Sequence, residues 1–447
     1  MIFSTSLPRF KAFLGAFSAK SSDVSNCLLF LVPFLLPTCR RSVAAAARSI
    51  LDDFRDATWL LRWLGASKAP EALLTAAQVQ LHTAARAAKD RLHVLVIDST
   101  YHGQQGKNTQ NTIATGNKKK RPTQSNRKQK KHNRHSGHCF VFALLLTPNG
   151  IRIPYWLPYF TEPYCQFFGL KHLSQASLAA QLIDNLPLPQ GSRVVVVGDT
   201  AFEAKQIRQA CARRSWQWVV PLNPERVLQG QAPRPKVRSL YGQLSSNDFA
   251  KVSFRLDQGD LAFMARVSPS RSQAKKHERT YWVHHRTAAV HNVGEVALLF
   301  SRQTQPTPGD VTVQKVLISN AVEATTEELL RWYSLRWQIE QFFKEMKSEL
   351  GMCQYKLGYF PRVQGWVNLS VVAFCYLEWT RWHKEQDAKG KDKPFWQRLR
   401  TAGLKEKIRQ QVQRAEIESL LRLAADKVGR KCLQTLLDKM TDDPAAA

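Results

Sequence analysis

The order of hydrophobic and polar positions along the chain predicts helices first and buried strands after them. Residues 44–64 and 70–89 carry apolar side chains at helical spacing, so residues 1–88 are predicted to be mostly helical. Two continuous apolar runs, 92–97 and 193–198, contain several valines and have the length of strands that are buried on both faces.

Further strands and helices alternate through the first half of the chain. Apolar runs at 139–146 and 151–157 predict two strands, joined by a turn signal at residues 148–150. Helical spacing follows at 174–185 and at 203–213. Strands that alternate with helices favour an α/β fold.

Residues 216–320 have a different pattern, because short apolar runs recur there between glycine, proline and serine residues. This spacing predicts a mainly β region inserted into the α/β protein. The predicted strands cover 216–222, 252–256, 261–267, 280–284, 296–300 and 311–318.

Helices are predicted again after the β region. Thr325 and Glu328 have the spacing of a capping box, and apolar residues continue at helical spacing to about residue 350. A second helix is predicted over 363–384, and two or three short basic helices over 395–440.

Four polar side chains are predicted to share one face of the first of these helices. They are Tyr333, Arg336, Glu340 and Lys347, at offsets of 3, 7 and 14 from the tyrosine. At about 100° per residue, these offsets place all four on a stripe roughly 60° wide, beside the apolar face. An ordinary salt-bridged surface helix has similar spacing, so the stripe alone leaves both interpretations open.

The two valine-containing runs each end in an aspartate, Asp98 and Asp199. A carboxylate at the end of a buried strand is held rigidly at the edge of an α/β sheet, where ligand sites lie. Either aspartate alone is as well explained by a turn. The third acid, Glu340, makes a three-carboxylate site the better interpretation.

Composition adds one strong constraint. The 447 residues include 65 Lys and Arg against 35 Asp and Glu, a net charge of +30, which favours a polyanionic partner, nucleic acid before a membrane. The eight cysteines form no CxxC pair, which argues against a disulfide framework and favours the cytoplasm. The apolar run at 27–37 is too short and too proline-rich to span a membrane, so no membrane association is expected.

Nine of the cations lie in one segment without acids. No Asp or Glu occurs between Ser99 and Thr161, so residues 102–137 are predicted to form a long basic loop. Contact with DNA phosphates is favoured by its position directly after the Asp98 strand, and a solvated linker is the alternative. The nine residues are Lys118, Lys119, Lys120, Arg121, Arg127, Lys128, Lys130, Lys131 and Arg134.

The motifs around the three acids resemble those of a known family. Tyr333-x2-Arg336-x3-Glu340-x6-Lys347 reproduces the Tyr-Arg-Glu-Lys signature of bacterial insertion-sequence DDE transposases, the group with a β insertion before the catalytic glutamate. Val-Ile-Asp98-Ser-Thr and Val-Gly-Asp199-Thr-Ala-Phe are similar to the first and second aspartate motifs of that family. The resemblance covers about residues 90–385.

The resemblance implies an α/β fold with a ribonuclease H-like catalytic core, interrupted by a mainly β insertion and flanked by helical terminal regions. The implied domains are 1–88 for binding DNA ends, 89–215 and 321–385 for the two parts of the core, 216–320 for the insertion, and 386–447 for a basic helical tail.

It also implies metal-dependent DNA cleavage and strand transfer by cut-and-paste transposition. Asp98, Asp199 and Glu340 would be the catalytic residues and the metal ligands. Three converging carboxylates repel one another unless cations lie between them, and hard oxygen ligands favour two Mg²⁺ ions, with Mn²⁺ able to substitute.

The implied partners are double-stranded DNA, as terminal inverted repeats and target, and a second copy of the chain in a homodimer on paired ends. Tyr333, Arg336 and Lys347 would contact phosphates, in the setting of the bacterial nucleoid. Two alternatives stay open: another ribonuclease H-like nuclease such as a junction resolvase, and a transposase-derived DNA-binding protein that no longer cuts.

Two further sets of side chains have weaker alternatives attached to them. A zinc site is weakly indicated by the spacing of His132, His135, His138 and Cys139, which have no second cysteine pair. Three tryptophans of the β region, Trp216, Trp218 and Trp282, could stack on a flipped DNA base. Packing in the core is the favoured interpretation, because aromatic residues in strands are more often buried.

Overall fold

The structure is a computed structural model, and it describes ten stretches of the chain. These are residues 13, 21–35, 57–85, 91–104, 109–115, 135–230, 234–256, 278–389, 396 and 401–410. The basic segment 118–134, the predicted strand 261–267 and most of the predicted helices over 395–440 lie outside the described residues.

Three helices precede the sheet: α1 (Ser21–Leu35), α2 (Ala57–Ala66) and α3 (Ala69–Ala84). They pack on a long helix over Phe360–Asp387, in which the ring of Trp366 meets Phe30 and Phe34 of α1 edge-on. The helical character predicted for this region is confirmed in the described stretches, and α1 continues through Pro33. None of the helices in those stretches is long and apolar enough to cross a membrane.

The first strands of the sheet are β1 (His93–Gln104), β2 (Ile113–Thr115), β3 (His135–Leu146) and β4 (Arg152–Pro158). Strand β3 is the centre of this group, because it pairs antiparallel with each of the other three. The strands predicted at 139–146 and 151–157 are confirmed, and the turn between them places Gly150 at a φ of 80°.

Helices and parallel strands follow: α4 (Glu162–Phe168), α5 (Gln175–Asp184), β5 (Val194–Val197), α6 (Lys205–Arg213) and β6 (Gln217–Pro221). Strand β5 pairs parallel with β1 on one side and with β6 on the other. Parallel neighbours need a crossover connection, which α6 supplies between β5 and β6. The order β4-β3-β1-β5-β6 is compatible with a ribonuclease H-like core.

The mainly β region supplies β7 (Ala250–Arg255), β8 (Glu278–Val290), β9 (Gly294–Arg302) and β10 (Lys315–Ser319). These strands pair antiparallel in sequence order, which confirms the β character predicted from the short apolar runs. Strand β10 also pairs with β6, so the region continues the same ten-stranded sheet.

The chain then forms α7 (Thr326–Ser334), α8 (Trp337–Lys344), a π-helical turn over Glu345–Glu349, and α9 (Phe360–Asp387). The predicted capping box is confirmed, since Thr325 Oγ1 accepts from the Glu328 N–H at 3.2 Å and the Glu328 carboxylate accepts from the Thr325 N–H at 2.8 Å. The predicted helical stretch to about residue 350 is confirmed in extent, but it is not one regular α-helix. Hydrogen bonds from Leu335 and Arg336 to carbonyls three residues back interrupt it, and it ends in the π-helical turn.

Candidate active site

Asp98 lies in the middle of β1 and not at its end. The apolar run at 92–97 predicted a strand that stops at this aspartate, but the ladder with β3 continues to Gln104, so that prediction is wrong. The strand continues because β3 pairs with it as far as Ser136. On its other side, β1 pairs with β5 only as far as Val96. Asp98 therefore lies where β1 has a hydrogen-bonded strand on one side only.

Asp199 stands beside Asp98 at the same level of the sheet. The last register pair of the parallel ladder is Val96 with Val197, and the two aspartates come two residues further along each chain. Neighbouring strands lie about 4.8 Å apart, so this register brings the two carboxylates together. The prediction that the second valine-containing run is a strand leading into Asp199 is confirmed.

A tight turn fixes the backbone at Asp199. Its Oδ1 accepts a hydrogen bond of 2.9 Å from the Ala201 N–H and thereby caps a 3-10 turn over Thr200–Phe202. The preceding Gly198 is closely packed, because a Cβ at that position would lie 3.0 Å from the Cβ of Phe202. Packing on one side and a hydrogen bond on the other therefore hold this carboxylate in place.

Glu340 joins the aspartates from helix α8, and Arg336 links the two elements. Arg336 Nη2 bonds to Glu340 Oε1, and Arg336 Nη1 lies 3.8 Å from Asp98 Oδ2. The Glu340 side chain is 53% exposed and that of Asp98 only 18%, so the site is open to solvent on the helix side. One guanidinium thus bridges the strand acid and the helix acid.

The three acids interact electrostatically. The pKa of Asp98 is raised from its ordinary 3.8 to about 6, chiefly by burial and in addition by the charges of Asp199 and Glu340. A hydrogen bond of 2.7 Å from the Ser99 N–H and the nearby Arg336 cation act in the opposite direction. Burial lowers the pKa of Arg336, but Glu340, Tyr333 and Asp98 together more than offset this, and the pKa is raised. The site is an acidic centre that attracts cations.

The chemistry of this donor set suits a hard divalent cation. Carboxylate oxygens are the ligands that Mg²⁺ and Mn²⁺ prefer, and the mutual repulsion seen at Asp98 is what a bound cation relieves. Within the described stretches, however, no three His, Cys, Asp or Glu side chains are close enough together to hold an ion. Arg336 lies between two of the acids and already neutralises them in part.

Tyr333 contacts Lys315 of β10. Its hydroxyl accepts a hydrogen bond of 3.3 Å from Lys315 Nζ, and the same ammonium lies 5.0 Å from the centre of its ring. Tyr333 also interacts electrostatically with Arg336, the next residue of the predicted stripe. Its contact with DNA phosphate stays a prediction.

Lys347 departs from the predicted stripe. It lies in the π-helical turn and donates a hydrogen bond of 3.2 Å to the backbone carbonyl of Tyr101, on the same strand as Asp98 and three residues beyond it. A π-helical turn rotates the chain by roughly 80° per residue, so the lysine falls short of the azimuth that a regular helix would give it. Of the other three side chains in the predicted stripe, Arg336 pairs with Glu340 and interacts electrostatically with Tyr333.

The core interpretation is confirmed for two of the three tryptophans. Trp216 and Trp218 are buried, and the Arg214 guanidinium covers the ring of Trp216 at 4.1 Å. Trp282 on β8 is half-buried. Its neighbour Tyr281 stacks on Phe254 of β7, and the guanidinium of Arg331 from α7 covers that phenylalanine ring. Successive side chains of a strand point to opposite faces, so Trp282 points away from α7.

The weakly indicated zinc set is not brought together by the described side chains. His138 is fully buried, with Nδ1 at 2.8 Å from the Tyr355 hydroxyl and Nε2 at 2.9 Å from the Gln110 carbonyl. Cys139, the next residue on β3, points to the opposite face of the sheet. His132 and the side chain of His135 lie outside the described residues.

Sequence reasoning missed a buried charged cluster next to α8. The only available signal was the presence of charged residues inside the otherwise apolar helix predicted over 363–384. The cluster links β4, the π-helical turn and α9, and its side chains are 2–7% exposed. Its members are Arg152, Glu345, Glu378, Arg381 and Glu385.

Comparison with known proteins bears on most of this site. Residues 171–376 match the family model described as the transposase DDE domain, and a search of curated proteins finds no match. The matched segment contains Asp199, Arg336 and Glu340. Asp98 precedes it, so its place in the site rests on its register with Asp199 and its pairing with Arg336. Over this segment, just under half of the chain, the protein is similar to the DDE domain of transposases.

Proposed function

We propose that this protein cleaves and joins double-stranded DNA as the cut-and-paste transposase of an insertion sequence. The observation that carries the proposal is that Arg336 links Asp98 of the sheet to Glu340 of α8, with Asp199 two residues beyond the neighbouring register pair. The transposase domain match and the net charge of +30 support the same conclusion.

The three carboxylates would hold two divalent ions, with Mg²⁺ as the natural metal and Mn²⁺ as a substitute. Such ions, when bound, activate the attacking water or 3′-hydroxyl and stabilise the leaving oxygen. The chain itself provides rigid placement: a strand paired along β3 fixes Asp98, and a capped turn fixes Asp199. No nucleophilic side chain is required in this chemistry.

Contacts with DNA would come from cations around the acids. The Arg336 guanidinium can grip a phosphate as a fork, while Lys347 supplies a point charge further along β1. Tyr333 and the nine cations of the segment 118–134 would extend the grip along the backbone. We further propose a ribonuclease H-like core with the β strands as its insertion, and a homodimer that pairs two terminal inverted repeats in the bacterial nucleoid.

The test is single-turnover nicking of labelled duplexes taken from both flanks of the gene, with saturating protein and Mg²⁺. We expect Asp98→Asn, Asp199→Asn and Glu340→Gln each to slow nicking by several powers of ten while binding in EDTA changes little. Asp184→Asn is the matched control, because this aspartate is paired with Arg213 on the surface.

The alternatives give different results in the same assay. A DNA-binding protein that no longer cuts would bind the duplex and leave it intact with either metal. A junction-resolving nuclease would cut four-way junctions in preference to linear ends. Nicking by Glu340→Gln at the wild-type rate would remove this residue from the proposed triad.

A further inference from the structure

Arg152, the first residue of β4, is buried between two carboxylates from different helical elements. Its Nη2 lies 2.9 Å from Glu345 Oε2 and 2.9 Å from Glu378 Oε1. Its backbone N–H also donates to Glu378 Oε2 at 3.2 Å. Two bonds to α9 therefore anchor this arginine, and its third bond restrains the element that follows α8.

Glu345 is the first residue of the π-helical turn. The Leu350 N–H bonds to the Glu345 carbonyl at 3.1 Å, five residues back, which defines the widened turn. The Glu345 carboxylate points inward, where Gln341 Nε2 donates to Oε1 at 3.2 Å and Arg152 holds Oε2. Without Arg152, this anion would be buried and unpaired, so it would be driven toward water.

The widened turn decides where Lys347 points. In a regular helix, Lys347 would lie only about 20° from the azimuth of Glu340. The π-helical turn moves it back by roughly 50–60°, onto the Tyr101 carbonyl of β1. Release of Glu345 would allow the turn to tighten and would carry the Lys347 ammonium away from this strand.

We propose that Arg152 is a positioning residue that, through Glu345, keeps Lys347 where it grips DNA beside the acidic site. The inference rests on the proposed function, because it assigns Lys347 a phosphate near the three acids. Arg152 itself is fully enclosed and touches no DNA. Its effect on binding must therefore pass through Lys347.

A double-mutant cycle on DNA affinity tests this coupling. Binding to the gene-flank duplex is measured in EDTA at one fixed salt concentration for Lys347→Ala in the wild-type and in the Arg152→Met background. We expect Lys347→Ala to weaken binding by about tenfold in the wild-type and by less than about twofold in the Arg152→Met background. Arg152→Lys, which keeps the cation, should restore part of the difference.

Arg381→Met is the matched control. This arginine is buried in the same cluster and pairs with Glu378 and Glu385, but it has no bond to Glu345. Both arginine variants should melt at lower temperature, yet Lys347→Ala should keep its full effect on binding in the Arg381→Met background. Equal effects of Lys347→Ala in all backgrounds, or no effect in the wild-type, would overturn the proposal.

A second variant covers the case in which Arg152→Met does not fold. Glu345→Gln keeps the shape of the side chain and removes only the charge that Arg152 holds, and it should show the same loss of coupling. All of these measurements read binding without metal. Absence of nicking in the wild-type with Mg²⁺ would refute the proposed function separately and leave the cycle intact.

Discussion

Asp98 and Asp199 each lie two residues beyond the register pair that Val96 and Val197 form between two parallel strands. Asp98 is still within β1, whereas Asp199 begins the capped turn that follows β5. Two like charges are therefore held near each other before any ligand arrives, and the charge of Asp199 adds to burial, the main cause of the raised pKa of Asp98. The arrangement costs stability when both groups are ionised, and that cost can be measured.

Asp98→Asn should stabilise the metal-free protein above about pH 6. The folded pKa of about 6 exceeds the ordinary value of 3.8, so this group lowers the free energy of unfolding as pH rises between the two values. The expected gain is on the order of 1–2 kcal/mol at pH 8, and it should vanish below about pH 4. Thermal melts of both proteins in EDTA across this range provide the measurement, and a gain that does not depend on pH would contradict it.

Arg336→Ala should bind metal more tightly than the wild-type protein when no DNA is present. The guanidinium now neutralises Asp98 and Glu340, so its removal leaves the acids to attract Mn²⁺ alone. In the wild-type, DNA should tighten Mn²⁺ binding several-fold because a phosphate competes for the guanidinium, and the variant should lose this coupling. Calorimetric titration with Mn²⁺, with and without duplex, measures both effects.

Arg336→Ala should also bind transposon-end DNA more weakly, by about 1–3 kcal/mol. Arg336→Lys should recover only part of this binding free energy because the fork geometry of the guanidinium is lost. Arg331→Ala is the control, since Arg331 pairs with Glu327 on α7. If Arg336→Ala and Arg331→Ala give the same affinities in the Mn²⁺ titration and in the DNA titration, Arg336 is only a surface ion-pair partner.

Replacing the nine basic residues of 118–134 by glutamine should weaken DNA binding for all sequences alike. Phosphate contacts carry no base information, and each contributes about 0.9 to the slope of log affinity against log salt. Titrations at several salt concentrations with two unrelated duplexes measure the change. An unchanged slope would show that the segment is a linker.

Gly365→Ala should destabilise the protein by about 1–3 kcal/mol. Helix α9 approaches α2 so closely at this glycine that an added Cβ would lie 2.5 Å from the Leu64 carbonyl oxygen and 2.8 Å from its Cδ1. Gly242→Ala is the control, because a Cβ at Gly242 has nothing within 4 Å. Urea melts of the two variants should separate clearly, and equal midpoints would show that α2 can move away from α9 at little cost.

The sequence singles out the three acids as candidates because the patterns around them are local. A run of valines marks β5, and helical spacing with the transposase-like motif marks Glu340. Register is not a local property, so the lateral pairing of the two aspartates became visible only in the sheet. The first residue of the π-helical turn, Glu345, pairs with Arg152, which lies 193 positions earlier, and no periodicity within the helix can indicate such a contact.

The continuous ladder from β6 through β10 to β9 has a mechanical consequence. A hinge between the acid-bearing strands and β7–β9 would have to break hydrogen bonds of the sheet, so these parts form one stiff, twisted surface. On the proposed function, a duplex bound across this surface would have to follow its twist. Bending 20–30 base pairs by 40–90° costs about 1–6 kcal/mol, depending on sequence, so we expect ends with flexible steps to bind more tightly even at base pairs that no side chain touches.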